Sequence, residues 1–185
     1  MKMMKTALLS MAALALCASV ALADTKLTVG VGHMCCGHCK ANATEGISKV
    51  AGDINIDGNT ITMTAKGDDI VPVLNALRKS GFPANKINAG NAPVTIAVGH
   101  LCCGKCVNGL KEALNAAKLE DADMDSLKIE DGKMVIKAKE GKSLDLFPVL
   151  LAMEKGGFSA DKIMLSGAAV VAKAKPATNR VVAHR

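Results

Sequence analysis

The sequence predicts an α+β protein made of two β-α-β-β-α-β units in tandem. Three observations carry this prediction. Residues 27–31 and 71–87 recur at 94–98 and 147–163, at offsets of 67 and 76 positions. Each copy contains short runs of alternating apolar and polar side chains, typical of half-buried strands, and two stretches with helical apolar spacing. A cysteine cluster also occupies the same place in both copies, so the chain is a duplication.

The first copy, which we place at residues 24–90, begins with a strand at 27–31. Apolar residues in 40–50 then follow a helical period and form a weak stripe. Strands are predicted at 54–56 and 60–64, joined by the hairpin-turn pair Asp57-Gly58.

A second helix and a short strand complete the copy. The helix carries its apolar stripe over 70–77 and ends at Ser80-Gly81, where glycine suits a C-cap. The last strand lies at 86–88. The second copy, at residues 93–166, has nine extra residues, among them an acidic stretch at 120–123 that we expect to be a solvated loop. Its predicted strands are 94–98, 127–129, 133–138 and 162–165, and its helices carry stripes over 107–117 and 146–153. This order predicts two ferredoxin-like sandwiches in tandem.

The two ends of the chain differ in character from the repeats. Residues 1–23 combine Lys2 and Lys5, an apolar run and the small-residue site Ala21-Leu22-Ala23, which is typical of a cleavable secretory signal peptide. The protein is therefore expected to be exported to a periplasm or secreted, without stable membrane insertion. Residues 167–185 form a basic, low-complexity tail that we expect to be disordered.

Composition argues against nucleic acid as a partner. The formal net charge is +6, and it is confined to the two ends of the chain, because the body between them is balanced. Tryptophan and tyrosine are absent and only three phenylalanines occur, so stacking side chains are scarce.

The cysteine clusters lie between the first strand and the first helix of each copy. A helix N-terminus favours thiolate over thiol, and thiolates bind soft ions such as Cu(I) and Zn(II). Each cluster holds an odd number of cysteines, so pairing within a cluster would leave one thiol free. The six are Cys35, Cys36 and Cys39, and Cys102, Cys103 and Cys106.

Residues 34–39 (MCCGHC) and 101–106 (LCCGKC) resemble the M-x-C-x-x-C loop of the heavy-metal-associated domain. That family includes copper chaperones, the N-terminal domains of metal-transporting P-type ATPases and the periplasmic mercury-binding protein. The resemblance implies metal ligands at Cys36/Cys39 and Cys103/Cys106, with Met34 and Leu101 anchoring the loops. It also implies a soft metal ion, with Cu(I) leading and Zn(II) or Hg(II) as alternatives, and a metal-carrying protein or metal transporter as partner.

Two departures from the family pattern add donors to each cluster. Cys35 and Cys102 offer a third thiol, and His33 and His100 are candidate ligands or neighbours that orient ligands.

Two other functions stay open. Cys36-Gly37-His38-Cys39 also spells the CGHC dithiol of thiol-disulfide oxidoreductases, with CGKC in the second copy. Alternatively, the CxxC pairs could be disulfides in an interaction module that binds no metal. No other catalytic motif is recognisable, and we predict that the protein is not an enzyme.

Overall fold

The computed structural model describes residues 25–165. The predicted signal peptide and the predicted disordered tail lie outside the described residues, so both stay predictions. Within residues 25–165, no helix has the length and apolar character needed to cross a membrane.

Each half of the described chain follows the order β-α-β-β-α-β. The first half consists of β1 (Thr25–Val31), α1 (Gly37–Ile47), β2 (Ala51–Asp57), β3 (Thr60–Ala65), α2 (Val71–Lys79) and β4 (Ala84–Asn88). The second consists of β5 (Val94–Val98), α3 (Gly104–Ala116), β6 (Lys128–Glu130), β7 (Lys133–Ile136), α4 (Leu146–Lys155) and β8 (Ala160–Leu165), with a 3-10 turn at Met124–Ser126.

The strands form two four-stranded antiparallel sheets with equivalent topology. Their orders are β2-β3-β1-β4 and β6-β7-β5-β8, so the first strand of each half is central. In β1 every second side chain is buried, from Thr25 to Val31. The helices bury the stripes that the periodicity predicts, at Leu110 and Leu114 in α3 and at only Ala43 and Ile47 in the weaker α1. This mixed α/β arrangement is consistent with a ferredoxin-like fold.

The first hairpin turns one residue later than the sequence predicts. Asp57 pairs with Thr60 and belongs to β2, so the two-residue loop is Gly58-Asn59. Gly58 has φ +52, which suits glycine at the first loop position of a tight hairpin. In the second half, Asp131-Gly132 forms the turn as predicted, and both residues have positive φ.

The acidic insertion is more ordered than the predicted solvated loop. Ala122 is buried and bridges to Ala138. The carboxylate of Asp123 accepts a hydrogen bond from the backbone N–H of Ser126 and pairs with Lys137 at 3.3 Å. These contacts join the insertion to the segment after β7, which a local sequence pattern does not reveal.

In each half, a glycine allows close packing between the first helix and the end of the second. The glycine lies on the first helix in the first half and just after the second helix in the second half. In the first half Gly46 of α1 faces Ser80, and a Cβ added to Gly46 would lie 1.8 Å from the Ser80 Oγ. In the second half the equivalent positions are Ala113 and Gly156, and a Cβ on Gly156 would lie 2.8 Å from that of Ala113. Each contact therefore needs one glycine.

The halves contact each other through reciprocal hydrogen bonds. The Asp69 carboxylate accepts from the backbone N–H of Val71 at the start of α2 and from that of Ile163 in the other half, at 3.0 and 3.1 Å. Asp145, 76 positions later, accepts from the N–H of Phe147 in α4 and of Ile87 in the first half, at 3.0 and 2.9 Å. Equivalent residues thus make equivalent contacts in both directions, as at a two-fold interface.

Candidate metal site

The first thiol group surrounds the N-terminus of α1. Cys36 is the N-cap residue, with extended φ and ψ of −152° and 170°, and its carbonyl accepts the first helical hydrogen bond from Lys40. This geometry turns the Cys39 side chain, in the first helical turn, toward Cys36. The Cys39 Sγ lies 3.4 Å from the Cys36 Sγ and 3.6 Å from the Cys35 Sγ. All three sulfur atoms lie within 4.8 Å of one another, so they could hold one metal ion.

The second group has the same backbone frame at α3 but a different donor set. Cys103 is the N-cap, and its Sγ lies 3.4 Å from that of Cys106. The Cys102 Sγ is 3.8 Å from the Cys106 Sγ. The His100 ring places Nδ1 3.7 Å from the Cys106 Sγ and Nε2 4.0 Å from the Cys102 Sγ. His100, Cys102 and Cys106 form the group whose donor atoms lie within 4.8 Å of one another.

The two cysteines of each CxxC pair differ in acidity. The backbone N–H of Cys39 lowers the pKa of the Cys36 thiol, and the Cys39 thiol and the N–H of His38 act in the same direction. These N–H groups belong to the first turn of the helix, where free N–H groups and the helix dipole favour a negative charge. The Cys36 and Cys35 thiols raise the pKa of Cys39.

The second CxxC pair repeats the asymmetry. The backbone N–H of Cys106 is the main cause that lowers the pKa of the Cys103 thiol. The neighbouring Cys103 thiol, followed by burial, raises the pKa of Cys106. In both halves the N-cap cysteine is therefore the one that ionises more readily.

The other residues near the two thiol groups have different surroundings. The His33 ring lies against Phe82, with ring centroids 5.7 Å apart, and is not part of the first thiol group. The His38 Nε2 lies 3.2 Å from the Asn42 side-chain nitrogen. Met34 is buried and Leu101 packs half-buried against the core, so both can anchor their loops. The roles that the sequence predicts for His33, Met34 and Leu101 at the metal site stay predictions.

The arrangement is suited to ligand exchange as well as to metal binding. All six cysteines within residues 25–165 are free thiols, and four of them are exposed. Sulfur atoms bound to one tetrahedral ion at about 2.3 Å lie about 3.8 Å apart, so the observed separations need little adjustment. The same closeness would allow disulfide formation within each CxxC pair, and the redox alternative therefore has a geometric basis too.

Sequence reasoning missed the residues around the rings of Phe82 and of its equivalent in the second half. Phe158, the equivalent of Phe82, lies over Gly109 and Gly156; added Cβ atoms there would come within 3.6 and 3.1 Å of its ring. The equivalent positions in the first half carry Asn42 and Ser80. Aligning the two copies residue by residue would have revealed this difference.

Comparison with known proteins adds little to this description. No protein family model matches the chain, and no curated protein matches it. One solved structure that matches is described as the water-soluble region of the P-type ATPase CopA from Bacillus subtilis. It is 16% identical, with a TM-score of 0.34, over 83% of this chain and 98% of that one. A similarity at that TM-score supports no conclusion about function.

Proposed function

We propose that this protein is an exported carrier of soft metal ions, built as a tandem pair of heavy-metal-associated domains with one thiolate site in each. Cu(I) is the leading ion, and Zn(II) and Hg(II) are alternatives. The observation that carries the proposal is the convergence of three donor side chains within 4.8 Å at the N-terminus of α1 and again at that of α3. Thiolate groups select soft ions over calcium or magnesium.

The position of the sites favours transfer and buffering of the ion over permanent storage. Cys35 and Cys36 are exposed, as are Cys102 and Cys103, whereas Cys39 and Cys106 are half-buried. An incoming thiolate can therefore reach the metal from solvent and replace the exposed ligands one at a time. A metal-carrying protein or a metal transporter with thiol ligands is the expected partner, and the protein itself acts as a binder and not as an enzyme.

Native mass spectrometry of the reduced protein, offered Cu(I) and Zn(II) in the presence of a competing chelator, tests the proposal. We expect up to two ions per chain, and their loss in the C39S/C106S double variant, because each substitution removes one sulfur from the three-donor group of its half. M124L is the matched control, since it removes a sulfur atom outside both clusters. Retention of no metal by the reduced wild-type protein would contradict the proposal.

A thiol-disulfide oxidoreductase is the second candidate, and the acidity difference within each CxxC pair favours it. Such enzymes attack with a cysteine of lowered pKa and resolve the mixed disulfide with its partner. Reduction of insulin disulfides by the reduced protein, abolished in C36S/C103S, would support this function. The structural-disulfide alternative is weaker, because a bridge across a two-residue gap closes a very short loop and stabilises little.

A further inference from the structure

The two thiol groups differ by one donor although their sequences are nearly the same. His33 and His100 occupy equivalent positions, two residues before the first cysteine of each cluster. Only His100 brings its ring nitrogens to the sulfur atoms, at 3.7 and 4.0 Å. Within the described chain, the first group contains three sulfur atoms and no imidazole nitrogen.

The two equivalent phenylalanines are packed differently. Phe82 is 5% exposed and holds the His33 ring against its own. Phe158 instead lies over two glycines of the α3–α4 pair, Gly109 and Gly156. The first half carries Asn42 and Ser80 at the equivalent positions. The His100 ring lies beside the thiols instead.

The second group has the composition of a tetrahedral zinc site. One ring nitrogen of His100 and the sulfur atoms of Cys102 and Cys106 lie within 4.8 Å of one another. The two sulfur atoms are 3.8 Å apart, which is the edge of about 3.8 Å expected for a tetrahedral ion with sulfur ligands. Cys103 lies outside this group, but it is exposed and its Sγ is 3.4 Å from that of Cys106, which makes it the candidate for the fourth ligand. Three cysteines and one histidine are a common ligand set of four-coordinate zinc.

We propose that the two sites select different ions. Cys35, Cys36 and Cys39 form an all-thiolate site for a three-coordinate soft ion such as Cu(I). His100 forms, with Cys102, Cys103 and Cys106, a mixed site that also takes Zn(II). His100 is then the specificity-determining residue. This inference rests on the proposed metal-binding function. It follows from the donor sets, because Zn(II) favours four ligands and accepts imidazole, whereas three thiolates satisfy Cu(I).

Two variants of the full chain isolate the sites. C103S/C106S leaves the first site intact, and C36S/C39S leaves the second. We expect both to retain Cu(I) against a chelator. In a zinc competition with a chromophoric chelator, C36S/C39S should bind Zn(II) at least tenfold more tightly than C103S/C106S, since changes even to the outer partners of zinc ligands alter affinity about 10- to 100-fold. Co(II), a coloured substitute for zinc, should give the absorption of a tetrahedral sulfur–nitrogen site in C36S/C39S alone.

The histidines provide the matched pair of substitutions. H100A in the C36S/C39S background should lower zinc affinity at least tenfold and shift the Co(II) absorption, while H33A in the C103S/C106S background should leave metal affinities unchanged. Circular dichroism checks that each variant is folded. Equal zinc affinities of the two sites, or no effect of H100A, would overturn this inference and leave the proposed function standing. Loss of Cu(I) binding by both isolated sites, and by the wild-type protein, would overturn both.

Discussion

The N-cap position of each CxxC pair is occupied by the cysteine that ionises more readily. At Cys36 and Cys103, the nearest backbone N–H groups of the helix stabilise the thiolate. At Cys39 and Cys106, neighbouring thiols oppose ionisation. A metal ion or an electrophile would therefore first meet the N-cap sulfur, which is also the more exposed member of the pair.

We predict that Cys36 and Cys103 of the metal-free, reduced protein react with iodoacetamide faster than Cys39 and Cys106 near neutral pH. A lowered pKa keeps the thiolate at pH values where an ordinary thiol, with a pKa of about 8.5, is protonated. Because the pKa values of Cys39 and Cys106 are raised, the advantage should shrink only when the pH also passes those values and the slower thiols ionise. Mass spectrometry of the alkylated peptides measures the rates. In urea the members of each pair should react alike, and equal rates in the folded protein would contradict the prediction.

Close packing between helices depends on one glycine in each half. Gly46 faces Ser80 in the first half, and Gly156 faces Ala113 in the second. The Ser80 hydroxyl also donates a hydrogen bond to the Ala76 carbonyl at 2.9 Å, which holds the side chain in the position that excludes a methyl group on residue 46.

We predict that G46A destabilises the protein by about 1–3 kcal/mol, the usual cost of overpacking, although alanine is intrinsically the better helix former. The added Cβ would lie 1.8 Å from the Ser80 Oγ and 2.8 Å from its Cβ, so hydroxyl rotation alone does not relieve the clash. Urea unfolding gives the change in free energy of unfolding.

The G46A/S80G double variant should recover most of the lost stability, because it reproduces the alanine–glycine pair of the second half. G52A is the control, since a Cβ on Gly52 would meet no atom within 4 Å. If the double variant were no more stable than G46A, the Ser80 contact would not be the cause.

The two halves are joined into one molecule by the reciprocal contacts of Asp69 and Asp145. Each carboxylate accepts hydrogen bonds from the start of a helix in its own half and from the last strand of the other. Backbone hydrogen bonds reinforce this interface, from Ile70 N–H to the Ile163 carbonyl and from Ala89 N–H to the Leu144 carbonyl. Because each carboxylate serves both halves, folding of one half should stabilise the other.

We predict that D145A lowers the free energy of unfolding by about 1–3 kcal/mol, through loss of a helix cap and of a charge-assisted hydrogen bond between the halves. D69A should act similarly at the equivalent position. Urea unfolding monitored by circular dichroism measures both effects. D145N is the matched control, since its amide oxygen can still accept hydrogen bonds and should preserve most of the stability. A D145A variant as stable as the wild-type protein would show that the contact contributes nothing.

The sequence by itself determined the features that depend on neighbouring residues. Alternation and helical spacing predicted every strand and α-helix of the described chain, to within a few residues at their ends. The position of each CxxC pair between a strand and a helix placed Cys36 and Cys103 at the helix N-termini. These features are local because hydrogen bonding and burial within one element set its period.

Only the tertiary structure decided the features that depend on residues distant in sequence. His33 lies against Phe82 whereas His100 lies beside the thiols, although the two histidines occupy equivalent sequence positions. The reciprocal contacts of Asp69 and Asp145 join segments 94 and 58 positions apart. Order in the acidic insertion likewise requires Lys137 and Ala138. A one-dimensional pattern cannot distinguish His33 from His100, because the two rings differ only in the side chains that they contact in the folded chain.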